Sequence, residues 1–504
     1  MQYFFKENKG DEYHPLPDPR YPLPLCSDSA KELFSDCDDF HIHKVCIGSH
    51  KCHKVHICFL DGVVSANDIS KMVLEPLTDP ERFGRFKSSA ELFDRMLTGT
   101  VYSSSLKKCD TTDDLVKLIT NGFCAIIFDD LEKAICFEAK TNDRRHTSSP
   151  SIEKSVRGAK DAFVETMRAN TSLVRRKVRN PMLKVKELSI GRQTSTNVSI
   201  VYIKGLTNPD LVAELEKRLN NMDIQGILGP AHLEEYICDN PYSPFPQIIT
   251  TERSDKFCMN LLDGRAGIFI DGLPFGYMVP GTFSQFLKVP EDQANHWTIS
   301  SFMTYLRYFA LILALFLPAF YIAVSVYHQE MLPTKLMLSI IESKRNVPFS
   351  TVAEVFGILI AFELLQEAGL RLPTPVGETV SIIGALIVGQ SAVEAQVISP
   401  IVIIVVATAG ISGYTIPSQE LAYAVRLFRF LNLIIVTFLG LFGMAVAVTL
   451  FIYILCSMES FGANYMTPFA GRYVNAAGGL LRIPFFLNKH RDQSLKPQNK
   501  RNQK

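Results

Sequence analysis

The chain has 504 residues, of which 47% are hydrophobic and 20% charged, with a formal net charge of +1. So even a charge balance excludes the basic surface of a nucleic-acid binder, and the composition, if spread uniformly, would suit an ordinary soluble enzyme. It is not uniform: the long uncharged stretches all lie beyond residue 305.

The first thirty residues hold no apolar core of the kind a signal peptide needs, and Pro15, Pro17, Pro19, Pro22 and Pro24 interrupt them. The N-terminal region is therefore expected in the cytosol, with residues 1–37 as a tail. Residues 38–140 carry the pattern of a first α/β subdomain, with strands near 40–47 and 55–60, helical spacing at 66–75 and 111–120, and strands at 123–128 (FCAIIF) and 134–138. Ten of the eleven cysteines precede the first apolar stretch, and a reducing cytosol would keep them as thiols. Cys37, Cys46, Cys52 and Cys58 mingle with His41, His43, His50, His53 and His56, a set of possible zinc ligands. No CxxC pair is present and the histidines fall in strand-like segments, so neither a metal nor a cofactor is expected.

A polar stretch within 141–154 (TNDRRHTSSPS) has the composition of a linker. The second α/β subdomain, 155–300, opens with a basic helix, KDAFVETMRANTSLVRRKVRN, followed by strands near 183–190 and 197–203 and a helix over 208–221. Arg157, Arg168, Arg175, Arg176 and Arg179 form either a solvated helix face or a docking face for a partner subunit. Glu252, Arg253 and Asp255 are candidates for a ligand or subunit contact, beside the plainer reading of turn capping and local ion pairs. Walker, nucleophile-elbow and HExxH patterns are missing, so no enzymatic chemistry is expected.

The membrane domain is assigned to 301–470. Tyr308–Tyr327 is twenty residues without a charge, which at about 1.5 Å per residue matches roughly 30 Å of hydrocarbon. Thr351–Ala368 is long enough to span but carries Glu354, Glu363 and Glu367. Carboxylates at membrane depth cost about 2.5–3.5 kcal/mol on insertion scales, so they need water, a partner or a proton. Glu363 and Glu367 fall about 40° apart on one helix face. In a ring of subunits such a stripe would line a cation path; within one subunit it would pair with Arg371 or its neighbours. Glu394 and the Ser399-Pro400 pair break the next apolar stretch, taken as one interrupted span over 380–417. Spans at 305–327, 351–368, 380–417 and 430–456 return the chain to the cytosol, where a basic, disordered tail, 471–504, is expected. Lys335, Lys344 and Arg345 would then lie outside, against the charge rule.

VRGAKDAFVETMRANTSLVRRKV, IGRQTSTNVSIVYIKG, PFPQIITTERSDK, LLDGRAGIFIDGLPFGYMVP, HQEMLPTKL, ELLQEAGLRLP, GALIVGQSAVEAQVISP and SFGANYMTPFA resemble, in order and spacing, the A subunits of the GerA-type germinant receptors of endospore-forming bacteria. The likeness covers about 155–470 and, more loosely, 38–140; Ser254, Gln293-Ala294 and Ala463-Asn464 depart from it. The resemblance implies a two-lobed cytosolic α/β region followed by an all-α polytopic membrane domain, in the spore inner membrane. It also implies a polytopic, nutrient-recognising B subunit, a lipoprotein C subunit, and a ring of A subunits conducting cations, with Glu354, Glu363, Glu367 and Glu394 as pore or gating residues. An accessory late-sporulation relative working beside dipicolinic acid release is the nearest alternative, and a non-conducting scaffold or a transporter are further ones.

Overall fold

The structure, a computed structural model, describes residues 21–47, 53–75, 88–100, 105–140, 150, 152–153, 155, 158–371, 389–470 and 479–502. In the first lobe β1 (Phe40–Ile47), β2 (His53–Leu60), β3 (Leu106–Cys109), β4 (Phe123–Phe128) and β5 (Lys133–Glu138) form an antiparallel sheet in the order β1-β2-β4-β5-β3. The central strand β4 is buried at every position, which is why its sequence is a continuous apolar run. Its residues alternate between two cores. Ile126 and Phe128 join Leu92 and Phe93 on one side, while Ala125 and Ile127 join Leu115 and Ile119 on the other. Leu25, Ala30, Leu33 and Phe34 lie in that second core, so the described part of the expected tail, from residue 21, belongs to the lobe.

The second lobe repeats this path. β6 (Leu183–Ile190), β7 (Thr196–Ile203), β8 (Ile249–Thr251), β9 (Ala266–Ile270) and β10 (Gly276–Val279) are ordered β6-β7-β9-β10-β8, again antiparallel. Each lobe thus runs hairpin, helical connection, short edge strand, one helix (Thr112–Thr120 or Ser254–Leu262), then a second hairpin. The Ser254–Leu262 helix lies so close to its sheet that a Cβ on Gly267 or Gly276 would meet the Phe257 ring at 2.2 or 2.5 Å. The expected basic helix is shorter than its sequence pattern, running only Met167–Lys177. Before it the backbone is committed elsewhere: Phe163 N–H donates to Glu252 O (2.7 Å) and Val164 N–H to Asn170 Oδ1 (2.8 Å).

Two helices, Trp297–Tyr327 and Gln419–Ser457, are long and apolar enough to cross a membrane by length and composition. The latter is not straight. Gly440 has φ 58° and ψ −138°, and the Phe428 and Phe451 rings lie 5.9 Å apart, whereas an unbroken helix would separate them by about 34 Å. Residues 419–439 and 441–457 are therefore the arms of a helical hairpin, where one span over 430–456 was expected. Between the two candidates stand Thr334–Lys344, Thr351–Arg371 and Pro400–Tyr414. The last runs beside Thr351–Arg371 in the same direction, Ser399 against Glu354 and Gly410 against Phe362. The break foreseen at Ser399-Pro400 is present, as Ser399 caps a helix with proline in its first turn, but residues 372–388 lie outside the described set.

One apolar core joins lobe and helices, containing Val174, Leu183, Phe245 and Phe257 together with Leu315, Phe428, Phe451 and Leu455. After the hairpin the SFGANYMTPFA segment returns to the lobe: Ser460 Oγ donates to Gln247 O (2.9 Å) and Phe283 N–H to Tyr465 O (2.8 Å). The basic tail is not disordered over 479–502. Gln498 N–H donates to Leu206 O (2.9 Å), Arg491 Nε–H to Leu262 O (3.0 Å), and Leu495 is buried, because carbonyls at the ends of the lobe's elements accept what the tail donates.

Candidate functional site

The four acids of the helical domain divide into two kinds. Glu354 is 2% exposed; its Oε2 accepts the Ser399 N–H at 2.7 Å and its Oε1 lies 3.4 Å from Lys344 Nζ. It thereby places a carboxylate at the N-terminus of the Pro400–Tyr414 helix, where the helix dipole favours negative charge. Glu363 receives the Arg429 guanidinium and has Arg426 Nη1 at 3.5 Å. Glu367 and Glu394 are exposed, the latter accepting from Gln390 at 3.1 Å. The first two thus sit against basic groups of the same chain, and the other two lie at its surface. Arg426 and Arg429 were not singled out from the sequence, and Lys344 only as a charge that runs against the expected topology. The signal was there: Arg426 and Arg429 sit three apart at the entrance to an otherwise apolar helix.

The basic helix turns its key residue inward. Arg175 is 2% exposed and grips Asp39 of the first lobe through Nε (2.8 Å) and Nη2 (2.7 Å), while Nη1 donates to Leu183 O (2.8 Å). Burial works against its charge, but the Asp39 carboxylate prevails and raises its pKa. Around it Arg168 meets Glu187 (2.5 Å) and Asp61 (3.3 Å), Lys184 Nζ donates to Leu33 O (2.8 Å), and Asp38 Oδ2 accepts the Glu187 N–H (2.6 Å). Arg175 is accordingly a bolt between lobes and not a face for another subunit. Arg176 is half-buried, and Arg157 lies outside the described residues.

Glu252, Arg253 and Asp255 likewise act within the chain. Glu252 Oε1 accepts the N–H groups of Ile152 and Glu153, both at 2.6 Å. Arg253, 1% exposed, holds Asp255 at 3.0 and 2.7 Å and donates to Ser155 Oγ at 2.6 Å. Lys256 adds an ion pair to Glu153 at 2.6 Å. Gly158 has φ +147°, and a Cβ there would stand 2.8 Å from Arg253 Nη2. The motif latches the end of the interlobe linker against the second lobe.

Among the described residues no group of three or more His, Cys, Asp or Glu side chains is arranged to hold a metal; His50 and Cys52 lie outside that set. His56 Nδ1 is 2.8 Å from Asp129 Oδ2, and His41 stacks on His43 with centroids 6.1 Å apart. The expectation of thiols throughout needs one correction, since Cys46 is disulfide-bonded, while the other described cysteines are free. Burial pushes the Cys124 thiol up to about 12.

The chain matches the family model described as Bacillus/Clostridium GerA spore germination protein over residues 28–494. It is 35% identical to the uncharacterized membrane protein YfkQ of Bacillus subtilis (strain 168), covering 86% of this chain and 83% of that one. It is 32% identical to spore germination protein KA of the same organism, covering 94% of this chain and 86% of that one. Among solved structures, the N-terminal domain of the A subunit of the Bacillus megaterium spore germinant receptor GerK3 aligns with a TM-score of 0.39 at 29% identity, over 50% of this chain and 92% of that domain. The chain belongs to the GerA spore germination protein family.

Proposed function

We propose that this protein is the A subunit of a nutrient-sensing spore germinant receptor, set in the spore inner membrane as a multi-pass protein with both lobes and the tail in the cytoplasm. Its action is conformational and not enzymatic. Several copies assemble with a polytopic B subunit that recognises the nutrient and a lipoprotein C subunit, and together they open a cation path. The observation that carries this reading is the exposure of two acids, Glu367 and Glu394, in the apolar half of a family member. Acids so placed are functional by default in membrane helices, and rings of them favour cations. Docking of the tail on the second lobe supports a shared side for both. By linkage, nutrient on the B subunit opens the path only if it binds the open arrangement more tightly.

The test is cation flux through liposomes holding the assembled A, B and C subunits, with nutrient added. Wild type should conduct, and Glu367→Gln and Glu394→Gln should reduce or reselect the flux. Conductance identical in all three would remove these acids from the path, and a silent but fully assembled complex would make the protein a scaffold.

A further inference from the structure

The stretch that leads into the docked tail is fastened to the start of the first candidate span. Arg482 N–H donates to Ser301 Oγ (3.0 Å), and its guanidinium donates to Gln293 O (2.9 Å) and to Asn295 O, on the backbone that enters Trp297–Tyr327. Pro484 then opens a tight turn, Phe485–Leu487, in which Leu487 N–H donates to Pro484 O (2.9 Å). The turn holds its apolar side chains outward: Phe486 is 73% exposed, and Leu481, Phe485 and Leu487 are exposed with it. Ile299, Phe302 and Met303, the neighbours of Ser301 on the span's first turns, are exposed as well. Over residues 479–491 the chain carries Arg482, Lys489 and Arg491 and no acid, and Asp292, just before the span, is taken up by Arg307 (2.6 Å).

A cluster of large apolar side chains at the surface marks a place that something covers. Continuity with the span and the basic flank name a phospholipid surface. Trp297–Tyr327 has 31 residues. At about 1.5 Å each they reach about 46 Å, the roughly 40–45 Å of a bilayer with its headgroups. When this helix crosses the membrane, its first turns and the Ser301 anchor of Arg482 fall in the headgroup layer, where aromatic and basic side chains collect. We propose that residues 480–489 form a membrane-interface strap whose Leu481, Phe486 and Leu487 side chains enter the phospholipid headgroup layer on the side of the lobes. Beyond the strap Arg491 and Gln498 donate to carbonyls of the second lobe, so the strap fixes how that lobe stands against the bilayer. This inference rests on the reading of Trp297–Tyr327 as a span, and does not depend on whether the assembly conducts.

The chain has one tryptophan, so the test can be made with a single emitter. In a Trp297→Phe background, Phe486→Trp reports on the strap and Phe320→Trp on the interior of the span. Each full chain is reconstituted in vesicles of phosphatidylcholine and phosphatidylglycerol, with or without bromine near the headgroup end of the acyl chains. Brominated lipid should dim the emission from both positions about twofold or more, and acrylamide in the water should quench position 486 far less than it quenches free N-acetyltryptophanamide. Emission from 486 that ignores brominated lipid while acrylamide quenches it freely overturns the strap. Emission shielded from both quenchers overturns it too, since protein and not lipid would then cover the turn. If brominated lipid also leaves position 320 unquenched, the span reading fails and the strap fails with it; quenching at 320 alone overturns only the strap.

Discussion

Removing one partner of a buried ion pair strands the other charge, at a cost of about 3–5 kcal/mol. Arg175→Ala should therefore lower the thermal unfolding midpoint and speed proteolysis between the lobes, and Arg175→Met with Asp39→Leu should recover most of the loss; an unchanged midpoint in the single variant would deny the bolt. Beside it, burial raises the Glu187 carboxyl above its usual 4.5, Arg168 opposing and Asp38, Asp39 and Asp61 adding. The folded state then holds that proton to higher pH than the unfolded chain does, so this group's contribution is most favourable below pH 4.5 and is lost as pH rises through the folded value. Relative to Glu187→Gln, the wild-type midpoint should fall as pH is raised from 4.5. The sequence marked Arg175 as notable but could not say which way it faced. Its partner lies 136 positions earlier, in an acidic SDCDD stretch that looks like solvated surface until it meets the edge of β6.

Helix ends and strand cores were legible where a local rule governed them. β4 reads as FCAIIF because both faces are covered, and β6 begins and ends where the sequence pattern places it. The hairpin at Gly440 was not legible, since Gly440 and Gly443 in an uncharged, apolar run, with no Pro, Asn or Asp beside them, carry no turn signature, and the helical period continues through them. A side chain there faces two obstacles: a backbone conformation costing a non-glycine residue about 1–3 kcal/mol, and the Tyr327 ring 3.0 Å from the added Cβ. Gly440→Ala should thus destabilise the helical domain. The reversal itself is testable by placing cysteines at 428 and 451 in a chain with Cys456→Ser. They should cross-link readily, and failure to do so would restore a straight helix.

At the scale of the molecule, the uneven charge along the chain already separated a charged half from an apolar one. What it could not reveal is that the two halves share a core. Phe245, 2% exposed on a lobe loop, meets the Phe428 ring at 4.9 Å and the Phe451 ring at 5.8 Å, so both arms of the hairpin close on one lobe residue. An aromatic knob in that position transmits displacement, because a close-packed interior has no slack in which to absorb it. Phe245→Ala should cost about 3–5 kcal/mol and should do so locally. Hydrogen exchange is expected to quicken in Leu421–Phe428 and in 458–466 while β1–β5 of the first lobe keep their protection. If instead the whole chain loosened together, lobe and membrane helices would be a single cooperative unit, and a signal arriving at one could not be stored there before reaching the other.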